Sequence, residues 1–269
     1  MIKLIACDLD ETLLDKNKNI SEDNKKAIAY AIAKGVKFVC ATGRGYKSVE
    51  QILKELNLYD LKDQYVISTN GSMITENKNS QMIVMRHLDF ELVEALFAFA
   101  MKSKTCIQIF TQEDVYGYLL DEDERNMLFM FKPDAIEMHE NTIEFLRGQK
   151  IVKVMYHDSL DALFALAPQM KHITEGKLDV SYSSNRYMEF TPYGIDKGKG
   201  LMDLADYLQI DMSETMAIGD NYNDLKMIEK AHIGVAVANA HQDIKDLSDY
   251  VCVNDHDHSA VAEAIYKFI

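Results

Sequence analysis

Residues 4–14 read LIACDLDETLL, and the order of apolar and acidic residues in this stretch indicates the fold class. Its first four residues form a short apolar run, which predicts a buried strand, and the acidic Asp8-Leu9-Asp10 follows directly. The next regular segment, Glu22 to Lys34, has alanines and isoleucines at helical spacing, with Ser21 as its N-cap. A strand that leads through a loop into a helix is the unit from which α/β sheets are built.

The alternation of predicted strands and helices continues along the chain and returns near the C-terminus. Val36 to Ala41 predicts a second strand, Ser48 to Asn57 a helix, and Tyr65 to Ser68 a third strand. Near the C-terminus, Thr215 to Ile218 predicts another strand and Leu225 to Lys230 another helix. This βαβα alternation implies a parallel sheet with helices on its faces.

The middle of the chain breaks the alternation. We therefore predict an α/β core formed by residues 1–86 and 188–269, interrupted by an inserted α+β domain at residues 87–187. Within the insertion, Met127 to Phe131 is expected in the core, and the acidic run Asp121 to Glu124 on a solvated face.

The amino-acid composition argues against several classes of protein. The chain has 269 residues, 48% of them hydrophobic and 27% charged, which is the ordinary globular range. Its formal net charge is −14 and it has no basic stripe, so nucleic acid is not an expected partner. The four cysteines include no CxxC pair and suit neither a zinc site nor a disulfide framework. No signal peptide and no apolar run approaching the ~20 residues of a membrane span are evident, so we expect a cytoplasmic protein without a membrane partner.

Acidic residues follow two of the predicted strands. Asp8 and Asp10 come after the first strand, and Asp220 and Asp224 come after Thr215 to Ile218. The carboxyl ends of parallel strands share one edge of the sheet, where open α/β sheets bind their ligands. Carboxylates that converge there repel one another unless a cation is present, and Mg²⁺ suits a few carboxylates together with a phosphate oxygen.

Other residues at these strand ends are suited to binding a phosphate. Thr42 and Gly43 offer a hydroxyl and a flexible backbone at a helix entrance. Lys197 lies at the start of a helix, where its charge opposes the helix dipole, which indicates a use for that charge. Together these residues predict a phosphate site beside the metal site.

Two rival motifs have weaker support. Residues 194–200 lack the spacing of a P-loop, and Gly200 stands where that motif has Ser or Thr. Gly43 to Ser48 matches half of a dinucleotide-binding fingerprint, with Ser48 in place of the third glycine.

The motifs resemble those of the haloacid dehalogenase superfamily of phosphatases, most closely the Cof-like sugar-phosphatase branch. In order along the chain, the matching segments are Asp8 to Leu14, Ala41 to Arg44, Asn70-Gly71, Ile195 to Gly198, Ile218 to Leu225 and Gly234 to Ala240. The resemblance covers about 160 residues. It implies a Rossmann-like parallel-sheet core with an inserted C2-type α+β cap that closes over the site. Glu11 departs from the family pattern, which usually has glycine there.

The resemblance also implies a mechanism and a role for each residue. It implies a Mg²⁺-dependent phosphomonoester hydrolase acting on sugar phosphates or other small phosphorylated metabolites. The expected roles are nucleophile for Asp8, acid and base for Asp10, metal binding for Asp8, Asp10, Asp220 and Asp224, phosphate binding for Thr42, Gly43, Lys197 and Asn223, and substrate contact for Arg44. A phosphomutase of related architecture and a non-catalytic phosphate sensor remain alternatives, and the oligomeric state is open.

Overall fold

A computed structural model describes residues 1–269. In chain order its elements are β1 (Leu4–Cys7), α1 (Glu22–Ala33), β2 (Lys37–Ala41), α2 (Glu50–Glu55), β3 (Tyr65–Ser68), β4 (Met73–Glu76), β5 (Gln81–Met85), α3 (Phe90–Ser103), β6 (Cys106–Thr111), β7 (Val115–Tyr118), α4 (Glu122–Phe131), β8 (Ile136–Met138), β9 (Ile151–His157), α5 (Leu160–Leu166), α6 (Lys171–Thr174), β10 (Leu178–Ser183), β11 (Tyr187–Pro192), α7 (Lys197–Tyr207), β12 (Thr215–Gly219), α8 (Leu225–Lys230), β13 (Ile233–Ala236), α9 (Gln242–Leu247), β14 (Tyr250–Val251) and α10 (Ala260–Phe268).

The chain forms two compact units, each with its own hydrophobic core. The first unit comprises Met1–Met85 and Ile195–Ile269, and the second comprises Arg86–Gly194. No helix in either unit is long and apolar enough to cross a membrane.

The first unit is built on an eight-stranded sheet in the order β14-β13-β12-β1-β2-β3-β4-β5. The six strands from β14 to β3 are parallel, and β4 and β5 continue the sheet in antiparallel fashion. Strands β1 and β12 are buried along their whole length, as expected for parallel strands covered by helices on both faces. The predicted α/β class with a parallel-sheet core is confirmed.

Local signals in the sequence explain where helix α1 begins and ends. The Ser21 hydroxyl accepts a hydrogen bond from the Asn24 amide and so caps the helix. After the helix, Gly35 adopts a φ of +86°, and the amide of Val36 donates back to the Ala31 carbonyl. This turn brings the chain directly into β2.

Two local features differ from the sequence predictions. The helix expected from Ser48 to Asn57 is a 3₁₀ turn at Tyr46–Val49 followed by the short α2. The hairpin of β4 and β5 was not predicted, because its strands are short and extend the parallel sheet without a helical crossover.

The second unit has a six-stranded sheet in the order β10-β11-β9-β6-β7-β8, antiparallel except for the β7–β8 pair. Its core was only partly predicted. Within the run expected in the core, Met130 and Phe131 are 70% and 56% exposed, and only Leu128 is buried. Glu124, expected in solvent, is buried, and it accepts hydrogen bonds from Gln108 on β6 and from Arg186 in the turn between β10 and β11.

Candidate active site

The loops after β1, β2, β3 and β12 meet at the carboxyl edge of the first unit's sheet. Strand β1 lies between β2 and β12, so the chain order of the strands reverses beside it. Such a switch point separates the loops and leaves a crevice for ligands. Each loop begins with a polar residue at the strand end: Asp8 after β1, Thr42 after β2, Thr69 after β3 and Asp220 after β12.

A buried lysine joins two of the carboxylates. Lys197 is the first residue of α7 and is fully buried, and its Nζ donates to Asp8 Oδ1 at 2.5 Å and to Asp224 Oδ1 at 2.6 Å. Asp196 caps this helix by accepting a hydrogen bond from the Lys199 amide, which fixes the helix start. Burial lowers the pKa of Lys197, but the attraction of Asp224 and Asp8 outweighs it and raises that pKa above its ordinary value. The ammonium group is therefore held charged inside the site.

Three carboxylates form a buried cluster around this ammonium. Oxygens of Asp8, Asp220 and Asp224 lie within 4.8 Å of one another. Thr12 donates to Asp220 Oδ1 at 2.7 Å, and the amides of Asp220 and Asn221 donate to Asp224 Oδ2 at 3.1 Å each. The cluster is held by bonds from its own loops and not only by the lysine.

The electrostatics of this cluster fit a divalent cation. Burial and the repulsion of Asp224 raise the pKa of Asp8 to about 7, although Lys197 opposes the shift. Burial and the repulsion of Asp8 and Asp224 raise the pKa of Asp220 to about 9. With all three carboxylates ionised, they and one ammonium would leave two negative charges in a buried site, and the raised pKa values express the cost of that uncompensated charge. An oxygen-preferring divalent ion supplies that compensation, so the donor set suits a metal ion of this kind.

Asp10 lies in a different environment from Asp8. Its side chain is 39% exposed and accepts hydrogen bonds from Arg44 Nε at 2.8 Å and Arg44 Nη2 at 2.5 Å. Lys18 Nζ donates to the same carboxylate at 2.9 Å. Burial raises the pKa of Asp10, but the hydrogen bonds and charges of Arg44 and Lys18 outweigh it and lower that pKa. Two carboxylates on one loop thus have pKa values shifted in opposite directions, because Asp8 is buried among other carboxylates whereas Asp10 is paired with two cations.

The loop that carries both aspartates contains a left-handed residue. Glu11 has a φ of +63°, a conformation that glycine adopts without steric cost. This geometry explains why glycine suits the position. Asn239 donates a hydrogen bond to the Glu11 carbonyl at 2.8 Å and so helps to hold the turn.

The predicted phosphate-binding residues lie around the loop after β2. Thr42 is buried, and its hydroxyl accepts a hydrogen bond from the Arg44 amide. Asn223 lies on the 3₁₀ turn before α8, and its Nδ2 donates to Asn70 Oδ1 at 3.4 Å. Asn70 Oδ1 also lies 3.1 Å from the position that a Cβ on Gly43 would occupy.

The structure brings the predicted site residues to one edge of the sheet through these contacts. The residues are Asp8, Asp10, Thr42, Gly43, Arg44, Lys197, Asp220, Asn223 and Asp224. Three further side chains, those of Thr12, Lys18 and Asn70, also belong to this arrangement. The sequence signal for Thr12 was its place in the first motif and for Asn70 its place in the turn after β3, whereas Lys18 had none.

A family model described as haloacid dehalogenase-like hydrolase matches residues 5–265. The chain belongs to this family. Among curated relatives, protein YxeH of Bacillus subtilis (strain 168) is 31% identical over 270 residues, with 100% of this chain and 99% of the relative covered. The 5-amino-6-(5-phospho-D-ribitylamino)uracil phosphatase YcsE of the same organism is 28% identical, with 100% of this chain and 96% of the relative covered.

A solved structure matches the whole chain. It is a haloacid dehalogenase-like hydrolase from Bacteroides thetaiotaomicron, with a TM-score of 0.85 and 28% sequence identity over 100% of both chains. Members of this hydrolase family share the fold described above, and the resemblance seen in the sequence motifs is confirmed.

Proposed function

We propose that this chain is a Mg²⁺-dependent phosphomonoester hydrolase that works through an aspartyl-phosphate on Asp8. One observation carries the proposal. Asp8 lies at the end of β1 beside Lys197, Asp220 and Asp224, while Asp10, two residues later, lies outside this cluster beside Arg44. A nucleophile and a separate acid–base group are what a two-step phosphoryl transfer requires.

Asp8 forms the covalent intermediate in the first step. A carboxylate oxygen of Asp8 attacks phosphorus as the bond from phosphorus to the ester oxygen breaks. Asp10 gives a proton to the leaving oxygen, so an alcohol departs. Arg44 and Lys18 favour the ionised form of Asp10 in the free protein, so the proposal requires that Arg44 turn to the substrate and Asp10 take up a proton before this step. Lys197 and the Thr42–Gly43 loop bind the phosphoryl oxygens, and Arg44 contacts the substrate.

Water resolves the intermediate in the second step. Asp10, now ionised, takes a proton from water, whose oxygen attacks phosphorus as the bond to Asp8 breaks. Inorganic phosphate leaves, and both aspartates return to their starting states. Asn223 completes the set of groups around the phosphoryl oxygens.

Asp8, Asp220, Asp224 and the loop at Asp10 would hold the Mg²⁺ ion. When bound, Mg²⁺ neutralises charge on the phosphoryl oxygens and on the carboxylates around it, which is the main demand of phosphoryl transfer. The proposed substrates are small phosphorylated metabolites such as sugar phosphates, and the second unit is proposed to act as the cap.

The test is phosphate release from a panel of phosphomonoesters with Mg²⁺, with EDTA, and with the Asp8→Asn variant. We expect release that needs both Mg²⁺ and Asp8, and a ranking of substrates that identifies the preferred leaving group. Release that persists in Asp8→Asn would contradict the proposal. Isomerised sugar phosphate without net phosphate release would indicate a phosphomutase instead.

A further inference from the structure

The turn after β3 has an unusual backbone. Thr69, Asn70 and Gly71 have φ values of +52°, +51° and +90°, so three successive residues are left-handed. Glycine adopts this region freely and asparagine tolerates it, but a β-branched threonine there is a genuine outlier. Strained backbone of this kind persists only where the surroundings hold it, and it concentrates at functional sites.

Two loops of the candidate site hold this turn in place. The Thr69 amide donates to the Arg44 carbonyl at 2.9 Å, and the Asn70 amide donates to the Thr42 carbonyl at 3.0 Å. On the other side, a Cβ on Gly71 would lie 2.1 Å from the Asp196 carbonyl oxygen, at the start of the helix that carries Lys197. The turn therefore joins the Thr42 loop to the helix start of Lys197.

The Asn70 side chain extends this link to a third loop. It is 4% exposed, and its Oδ1 accepts the hydrogen bond from Asn223 Nδ2. The same oxygen lies against Gly43. One side-chain amide thus contacts two of the residues proposed to bind the phosphoryl group.

We propose that Asn70 is a positioning residue that orients Asn223 and the Gly43 backbone toward the phosphoryl group of the substrate. The inference rests on the proposed function and deepens it. Asn70 acts through its neighbours: by fixing the Asn223 amide and the Gly43 loop, it sets the distance between donors that must reach one phosphoryl group together. Catalysis of phosphoryl transfer depends chiefly on such positioning.

The main variant is Asn70→Gly, which keeps the left-handed backbone and removes only the amide. Its matched control is Asn79→Gly, since Asn79 is also left-handed, with a φ of +56°, but its side chain is exposed in the turn between β4 and β5. We expect Asn70→Gly to lower kcat/KM about 3- to 10-fold, the usual cost of one hydrogen bond between uncharged groups, and Asn79→Gly to change it less than about twofold.

A double-mutant cycle with Asn223→Ala tests the route of the effect. If Asn70 acts through Asn223, the loss caused by Asn70→Gly is smaller in the Asn223→Ala background than in wild type. Equal losses in both backgrounds, or no loss in either, would overturn the inference.

Asn70→Asp provides a second test that does not depend on the stability of the glycine variant. Aspartate keeps the shape, the acceptor oxygen and the tolerance for positive φ, but adds negative charge beside the phosphoryl site. We expect KM to rise more than kcat falls. An unchanged KM would overturn the inference.

Orthovanadate binding separates failure of this inference from failure of the proposed function. If wild type hydrolyses no ester, the proposed function fails, and the inference is then judged by vanadate affinity in calorimetry. Vanadate binding that weakens in Asn70→Gly but not in Asn79→Gly supports a positioning role. Equal affinity in both variants, or no binding to wild type, overturns it.

Discussion

At the scale of single residues, Lys197 has the most demanding environment in the site. It is fully buried and is bonded to two carboxylates, each of which is itself buried. Lys199, two residues later on the same helix, makes a half-exposed ion pair with Asp203. The two lysines differ in burial and in the number of carboxylates that each one compensates.

We predict that Lys197→Met lowers the free energy of unfolding by about 3–5 kcal/mol, because it leaves two buried carboxylates without their cation. Lys199→Met, the matched control, should change it by less than about 0.5 kcal/mol, as expected for an exposed pair one helical turn apart. Urea denaturation of both variants in EDTA measures this difference. Equal stabilities would show that Lys197 does not compensate the cluster.

At the scale of elements, the end of β12 lies close against the turn that follows it, and this contact fixes the position of Asp224. A Cβ on Gly219 would lie 2.5 Å from the Asp224 Cβ, so only glycine fits there without displacing the carboxylate. Gly45, which precedes the 3₁₀ turn after β2, has a φ of −69° and no atom within 4 Å of such a Cβ.

Gly219→Ala is therefore expected to reduce stability by about 1–3 kcal/mol, the usual cost of overpacking, and to reduce phosphate release through the displaced Asp224. Gly45→Ala should leave both unchanged. Thermal unfolding and turnover of the two variants provide the comparison. A Gly219→Ala protein with wild-type turnover would show that the position of Asp224 is not critical.

Helix α10 is tied to β14 by one carboxylate. Glu263 accepts hydrogen bonds from the Tyr250 hydroxyl at 2.6 Å and from the amides of Val253 and Asn254 at 2.9 Å each. Burial raises the pKa of Glu263, but these hydrogen bonds outweigh it and lower that pKa below its ordinary 4.5. The carboxylate form is thus favoured in the folded protein.

A carboxyl whose pKa is lower in the folded state stabilises the protein above its unfolded pKa and loses that contribution as the pH falls through the folded value. We predict that Glu263→Gln costs about 1–3 kcal/mol at pH 7, and that the gap from wild type closes below about pH 4.5. Urea titrations at several pH values measure the gap. A gap that stays constant or widens in acid would contradict this role.

Some of the secondary-structure elements could be predicted from the sequence and others could not. Apolar runs and their spacing predicted β1, β2, β3 and β12, because buried parallel strands need continuous apolar residues. Periodicity did not predict β4 and β5, which form a local hairpin of short strands. It did not predict the burial of Glu124 either, since its bond to Arg186 joins residues distant in sequence.

In the candidate site, too, the sequence predicts some of the contacts and not others. Residues at strand ends could be assigned to one edge from topology alone, and so the acidic residues and Lys197 were expected to lie together. The bond from Lys18 to Asp10 and the contact of Asn70 with Asn223 depend on how two loops fold against each other. Spacing in sequence carries no signal for such contacts.

At the scale of the whole molecule, an acidic chain gathers three cationic side chains at its candidate site. The net charge is −14, yet Lys18, Arg44 and Lys197 all lie at the carboxyl edge of one sheet. Because salt screens exposed charges beyond about 8 Å at physiological ionic strength, the proposed attraction of a phosphate dianion would depend on these local cations and the proposed metal ion more than on the net charge.

The proposed function depends above all on Asp8 carrying the phosphoryl group. The most direct measurement is mass spectrometry of acid-quenched Asp10→Asn protein after mixing with substrate and Mg²⁺, because removing the acid–base group should slow turnover about 10²- to 10⁴-fold and retain the intermediate. We predict one phosphoryl group, located on Asp8 in the proteolytic peptide and absent when Asp8→Asn is added. A phosphoryl group on another residue, or an active enzyme with no phosphorylated form, would contradict the proposed role of Asp8 as the nucleophile.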